Sequence, residues 1–261
     1  MEKIVIEDLS FKYPDGDKLI LKEVNLEVEQ GDFVCLLGQP GCGKSTLLRL
    51  LAGLERATQG SIKIGEEVIK GADLNRSVVF QDYGLFPWMS AGDNIMLALK
   101  QKYPQKRKQE LKEIAFKALD EVGLSRDVFE KYPKALSGGM KQRCAIARSF
   151  SLNPPILLMD EPFGALDAVT RAKLQELVLN LWRKDKEKKT VFFVTHDVDE
   201  ALLLGTKICV LGQSPSHVIY ECNIKDEKKP TRSELYEDVE IMKLRNELIK
   251  YINLDVASRI E

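Results

Sequence analysis

The chain has 261 residues, of which 39 are lysine or arginine and 40 aspartate or glutamate, giving a formal net charge of -1 at pH 7. That length is ample for a large apolar core, and the balanced charge excludes a broad basic field for nucleic acid or an anionic membrane surface. Met1 to Asp8 alternates in polarity and lacks the basic and apolar regions of a signal peptide, and no apolar run reaches the roughly 20 residues of a membrane span, so the polypeptide is expected in the cytosol. Cys35, Cys42, Cys144, Cys209 and Cys222 show neither a paired framework nor metal-ligand spacing and are expected as free thiols.

In chain order, Lys3 to Asp8 and Leu21 to Glu29 alternate apolar and polar residues and predict strands of an antiparallel layer, with the turn chemistry of Tyr13-Pro14-Asp15-Gly16 between them. Phe33 to Leu37 is a continuous apolar run ending at a glycine-rich loop, and Thr46 to Leu54 has helical spacing. This predicts a buried parallel strand feeding a helix. A short strand is expected over Val78 to Phe80. From Ala91 to Phe150 the pattern is helical, with Lys106 to Val122 amphipathic, and predicts an inserted helical subdomain over about 90–152. Ile156 to Met159, Val169 to Lys184, Thr190 to Thr195, Asp197 to Leu204 and Lys207 to Leu211 then alternate strand and helix, the signature of an α/β parallel sheet. After a charged stretch ending at Lys229-Pro230, the spacing of Leu235, Val239, Met242, Ile249 and Ile252 predicts a closing amphipathic helix. The division expected is a principal domain over 1–222 and a charged C-terminal segment with its amphipathic helix over 223–261.

Three motifs carry chemistry. Gly38-Gln39-Pro40-Gly41-Cys42-Gly43-Lys44-Ser45 fits the phosphate loop, in which glycines turn backbone N–H groups inward and a helix N-terminus adds its positive end. Lys44 then neutralises outer phosphates and the Ser45 hydroxyl is placed for Mg²⁺; the alternative is an ordinary glycine-rich turn. The strand Ile156 to Met159 ends in Asp160-Glu161, two carboxylates at a sheet edge. In a phosphate-loop fold Asp160 serves the Mg²⁺ shell and Glu161 orients the attacking water; alternatively the pair is a polar strand end. In Leu136-Ser137-Gly138-Gly139-Met140-Lys141-Gln142, Ser137 can cap the following helix while Gly138 and Gly139 expose N–H groups, a second helix-end anion site.

With two such cradles in one chain, the sequence closely resembles the ATP-binding cassette family, whose signature is Leu-Ser-Gly-Gly and whose domains work in pairs. The resemblance runs from Lys3 to about Gln213 with the motifs in the family's order. It implies an α/β fold with a RecA-like P-loop parallel-sheet core, an antiparallel β subdomain and the inserted α-helical subdomain, and it implies ATP and Mg²⁺ as cofactors. Gly38 and the run Gly41, Cys42, Gly43, Lys44, Ser45 and Thr46 are then the phosphate nest. Gln39-Pro40 departs from the family's usual Gly-Pro-Ser-Gly, removing a hydroxyl near the γ-phosphate and one N–H. By the same resemblance Tyr13 stacks on adenine, with packing as its other reading. Gln81 joins the Mg²⁺ and water shell to the helical subdomain. Asp167 lies in a loop that crosses the dimer interface, or is an N-cap, or both. His196 contacts the γ-phosphate, the alternative being a buried, satisfied imidazole.

The expected machine is the ATP-hydrolysing subunit of a transporter, peripheral at the cytoplasmic face of the membrane. Its expected partners are a second ATPase subunit, a separate transmembrane permease docking near Phe86, Pro87 and Trp88, and indirectly a solute-binding protein, with no nucleic acid. Trp88 alternatively packs under the helical subdomain. Import is favoured because no membrane helices are fused to the chain, and the stretch from Phe80 to Ser90 with Asn94 and Ile95 resembles the subgroup serving nitrate, sulfonate and taurine. An exporter subunit, a non-transport cassette ATPase or a binding module without catalysis are the rival expectations.

Overall fold

Continuous apolar runs become the buried strands and helical repeats become the packed helices. The computed structural model describes residues 3–14, 16–185 and 187–257, with side chains to residue 253. Met1 and Glu2 of the first alternating segment, Asp15 of the expected turn and the last residues of the C-terminal segment, 258–261, lie outside the described residues. The chain opens with strands β1 (Ile4–Phe11), β2 (Leu21–Val28) and β3 (Phe33–Leu37), helix α1 (Lys44–Ala52), and strands β4 (Gln59–Ile64), β5 (Glu67–Val68) and β6 (Arg76–Val79). Helices α2 (Ala91–Lys102), α3 (Lys108–Glu121) and α4 (Gly138–Ser151) follow, then β7 (Ile156–Asp160) and α5 (Ala168–Lys184). The remainder is β8 (Thr190–Thr195), α6 (Val198–Leu204), β9 (Lys207–Leu211), β10 (Val218–Asn223), α7 (Glu234–Glu237) and α8 (Val239–Ala257).

These elements form two compact units, Met1–Asp73 with Lys186–Glu261, and Leu74–Asp185. The first unit contains an antiparallel sheet in the order β2-β1-β4-β5, where Ile4 faces Val28 on one side and Ile64 on the other. Its one-sided burial matches the alternation in the sequence, with Ile4 and Ile6 of β1 and Val24, Leu26 and Val28 of β2 inside. The same unit holds β10-β9-β3-β8, in which β3, β8 and β9 are parallel and β10 is antiparallel to β9. Every residue of β3 and β8 is buried, as expected of strands covered on both faces. Leu37 pairs with Thr195 and with Val210, so these three strands end level.

The second unit is wider than the predicted helical insertion. It joins α2, α3 and α4 to the parallel pair β6 and β7 and to α5, which buries Trp182. Ser90 caps α2 by accepting from the Asp93 N–H at 3.1 Å, and Ile95, Leu99, Leu111, Ala115 and Leu119 fill the space between the helices.

The C-terminal region differs most from the expectation. It packs within the first unit, and the single closing helix is split: Asp238 is extended, ends α7 and caps α8 by accepting from the Glu240 and Ile241 N–H groups. Splitting the helix also resets its face. Val239 and Met242 are 62% and 41% exposed, whereas Leu235 and Leu248 are buried. Tyr251 stacks on Tyr220 of β10 with ring centroids 4.3 Å apart, and this contact with Leu248 fixes which side of α8 turns inward. Leu248→Ala should therefore cost about 2–5 kcal/mol of unfolding free energy, against less than ~0.5 kcal/mol for Met242→Ala. Urea denaturation of the two variants checks this, and equal costs would restore the face read from the sequence.

Candidate functional site

The phosphate-loop residues leave the carboxyl end of β3, where the level ends of β8 and β9 also lie. Open α/β sheets bind ligands at such edges. Gly43 adopts φ +102°, a conformation that favours glycine, and serves as N-cap of α1 without any side-chain cap. No acidic residue occupies the first turn of α1. The helix therefore turns its positive end, with no side-chain cap at Gly43, to whatever the loop encloses. A Cβ added at Gly41 would meet nothing within 4 Å, so the mouth of the loop is open there.

Lys44 is buried, and its Nζ donates to the carbonyls of Gly38 and Gln39 at 2.9 Å each, folding the ammonium over the loop. Cys42 is also buried, with its Sγ 3.9 Å from that ammonium. Thr46 shares its hydroxyl with the Tyr13 hydroxyl at 3.2 Å, and the Tyr13 ring stands edge-on to Phe11 at 4.9 Å. Tyr13 is thus half-buried and tied to the first turn of α1. His196, directly after β8, is exposed, which removes the buried-imidazole reading.

In the second unit, parallel pairing of Val79 with Met159 aligns the ends of β6 and β7. Gln81 beyond one and Asp160 and Glu161 at the end of the other therefore share an edge. Gln81 is exposed, Asp160 is buried, and Glu161 is half-buried at φ +40°. For a non-glycine residue that left-handed conformation costs on the order of 1 kcal/mol, a strain typical of positions that do chemistry.

The signature residues lie close to the other two loops of this unit. Ser137 caps α4 by accepting from the Met140 N–H at 3.3 Å. Asp167 caps α5 by accepting from the Thr170 N–H at 2.9 Å, and the bonds from Thr170 hold its carboxyl below the ordinary carboxylate range. A Cβ on Gly139 would stand 2.8 Å from the Thr170 methyl, and one on Gly138 3.2 Å from the Tyr83 hydroxyl. Glycine is required at 139 because α5 approaches that closely. The structure thus gathers Ser137, Gly138, Gly139, Asp167 and the loop after Gln81.

Two further residues position these loops; Arg148 belongs to no motif, and Asn94 stands only within the stretch resembling the import subgroup. Arg148 of α4 is half-buried and donates through Nη1 to the Gly84 carbonyl and through Nη2 to that of Tyr83, pinning the loop after Gln81, while partial burial lowers its guanidinium pKa. Asn94 is buried within the first turn of α2. Its Oδ1 accepts from the Phe86 N–H at 2.7 Å, and its Nδ2 lies within 2.9–3.3 Å of the carbonyls of Phe86, Met89 and Ser90. A buried asparagine inside a helix is the available sequence signal, since its amide favours local backbone partners. It closes the loop that holds out Phe86 and Trp88, the latter 71% exposed, their rings 5.4 Å apart.

Among the described residues no cluster of three His, Cys, Asp or Glu side chains could hold a metal ion by itself. A hard cation that shares phosphate oxygens needs few oxygen donors from the protein; the first unit carries such a donor in the Ser45 hydroxyl and the second in the Asp160 carboxylate. Among the described residues no helix is long and apolar enough to cross a membrane.

A family model described as ABC transporter matches residues 21–164. The chain is 41% identical over 244 residues to the nitrate import ATP-binding protein of Synechococcus elongatus, covering 93% of this chain and 88% of that one. It is 42% identical over 226 residues to the aliphatic sulfonates import ATP-binding protein of Bacillus thuringiensis subsp. konkukian, covering 85% and 86%. Among solved structures, a dimeric ATP-binding cassette in a post-hydrolysis state bound to ADP and Pi gives a TM-score of 0.76 at 32% identity, over 85% of this chain and 99% of that chain.

Asn94→Ala strips the loop of its central partner and leaves buried backbone groups unpaired, so it should cost about 1–3 kcal/mol. Thermal unfolding of the variant beside the wild type measures this, and coincident transitions would show that the loop does not depend on Asn94.

Proposed function

The chain belongs to the ATP-binding cassette transporter family and is one of its ATPases, and from that premise we propose that it powers import of a small solute of the nitrate and sulfonate type through a separate transmembrane permease. The observation that carries the reading is the start of α1, without a side-chain cap, beside a buried Lys44 that donates to two backbone carbonyls and lies 3.9 Å from the Cys42 Sγ. Both features call for a polyanion. The names of the two import relatives support the direction and solute class.

In this reading Lys44 turns from the loop carbonyls to the β and γ phosphates, and the N–H groups of Gly41 to Thr46 hold the phosphate oxygens. Gly38 lets the loop turn closely after β3, and Tyr13 stacks on the adenine. Mg²⁺, when bound, would neutralise charge at the phosphates, and by the family resemblance Ser45, Asp160 and Gln81 are the residues that would hold it. Glu161 orients the attacking water and draws off its proton, and His196 contacts the γ-phosphate. Ser137, Gly138 and Gly139 face the nucleotide of a second subunit, with Asp167 at the crossing between them. The assembly works at the cytoplasmic face of the membrane, where Phe86, Pro87 and Trp88 meet the permease and a solute-binding protein delivers cargo from the other side.

The direct test is a pair of variants. Lys44→Ala removes charge-assisted bonds and should weaken ATP binding by about 2 kcal/mol, roughly thirtyfold in Kd. Glu161→Gln should lower kcat by at least about 100-fold while ATP still binds and drives dimerisation in sizing chromatography. Unchanged ATP affinity in the first, or normal turnover in the second, sinks the assignment.

A separate expectation concerns the permease. Exposed aromatics rimmed by polar residues mark partner surfaces, so Trp88→Ala should loosen co-purification with the cognate permease by about 2 kcal/mol while the subunit's own ATPase rate holds. Normal co-purification of the variant would place the docking surface elsewhere.

A further inference from the structure

His196 lies between the last residue of β8 and the cap of α6, and its backbone is stapled on both sides. The Asp197 N–H donates to the Thr195 hydroxyl at 3.0 Å, and that hydroxyl donates to Glu200 at 2.6 Å. The Asp197 carboxylate accepts from the N–H groups of Asp199 and Glu200. On one side the sheet pairing of Thr195 with Leu37 holds the backbone of His196, and on the other its course follows where α6 sits. Ala201, Leu202 and Leu204 bury the apolar face of this seven-residue helix, and its polar ends are gripped by other parts of the chain.

Residues beyond β10 grip α6 at both ends. At its start the two carboxylate oxygens of Asp199 are both engaged: Oδ1 accepts from Arg245 Nε of α8 and Oδ2 from the Tyr236 hydroxyl of α7, each at 2.6 Å. The Arg245 guanidinium also lies over the Tyr236 ring, 5.6 Å from its centroid. Burial opposes ionisation of Asp199, and the bonds from Arg245 and Tyr236 outweigh it, holding the carboxyl below its ordinary range. At the far end of α6, buried Lys229 donates to the Leu204 carbonyl at 2.6 Å. The segment that does the gripping is anchored independently, by buried Leu235 and Leu248 and by the stack of Tyr251 on Tyr220.

From this arrangement we infer that the C-terminal segment is a positioning device for ATP hydrolysis, in which Arg245 and Tyr236 act through Asp199 and α6 to fix His196. The inference rests on the reading of His196 as a γ-phosphate contact. None of these positioning residues touches nucleotide, so their loss leaves binding intact and misplaces one transition-state contact. Misplacement on the ångström scale costs rate steeply.

The test measures kcat, KM for Mg-ATP and Tm of the full chain carrying Arg245→Ala, Tyr236→Phe or Arg245→Lys, with His196→Ala in parallel. Arg245→Ala should lower kcat on the order of tenfold with KM within about twofold of wild type, a split that general destabilisation does not produce. Arg245→Lys keeps a donor and should recover most of that loss. Tyr236→Phe removes one hydroxyl on a largely exposed ring and should give a smaller fall in kcat; it decides the matter should Arg245→Ala fail to fold. The inference is overturned if Arg245→Ala and Tyr236→Phe leave kcat unchanged, if they raise KM alone, or if Arg245→Lys recovers nothing. Should His196→Ala retain normal kcat, the underlying reading of His196 fails and this inference with it. A silent Arg245→Ala beside an inactive His196→Ala defeats only the positioning role.

Discussion

A buried ammonium bonded to two backbone carbonyls is the constraint around which the first unit is organised. Lys44 is withdrawn from water, and its described partners, the carbonyls of Gly38 and Gln39, carry no formal charge. Burying a charge against neutral acceptors is expensive, and the N-terminus of α1, which has no side-chain cap, adds further positive potential at the same point. The loop is thus held ready for an anion that completes both. The level ends of β3, β8 and β9 bring His196 to the same edge without any contribution from the loop itself.

The second unit solves a different problem, that of holding several irregular loops still. Loops have few backbone partners of their own, so each must borrow them. Arg148 supplies donors to Tyr83 and Gly84, Asn94 supplies both donor and acceptor between Phe86 and Ser90, and Ser137 and Asp167 cap the helices they precede. The close passage of Thr170 by Gly139 ties two of these loops together by shape alone. The exposed Trp88 stands on a loop whose flanking residues Phe86, Met89 and Ser90 are bonded to Asn94, so it is presented from a fixed base.

The C-terminal segment shows how a surface addition can reach a reactive residue. Its apolar anchors decide that it stays, and its polar residues decide what it holds. Asp199 is the meeting point, since a carboxylate in the first turn of a helix is already favoured by the helix dipole and then accepts from Arg245 and Tyr236 as well.

Much of this was legible in the sequence where a local rule has a single outcome. Continuous apolar runs gave β3, β7 and β8, glycine spacing gave the turn between β3 and α1, and Ser137 and Asp167 stand before helices as capping residues should. Period alone could not place Asp238 as a break or choose between the faces of α8, because Val239 and Met242 fit a helical stripe as well as Leu244 and Leu248 do; the stack of Tyr251 on Tyr220 chose. Nor could it assign Asn94, Arg148 or Asp199, whose partners lie on other loops and helices. Sequence fixes what a residue can bond and the local geometry it prefers, while the identity of a partner distant in the chain is settled only when the fold brings the two within hydrogen-bonding reach.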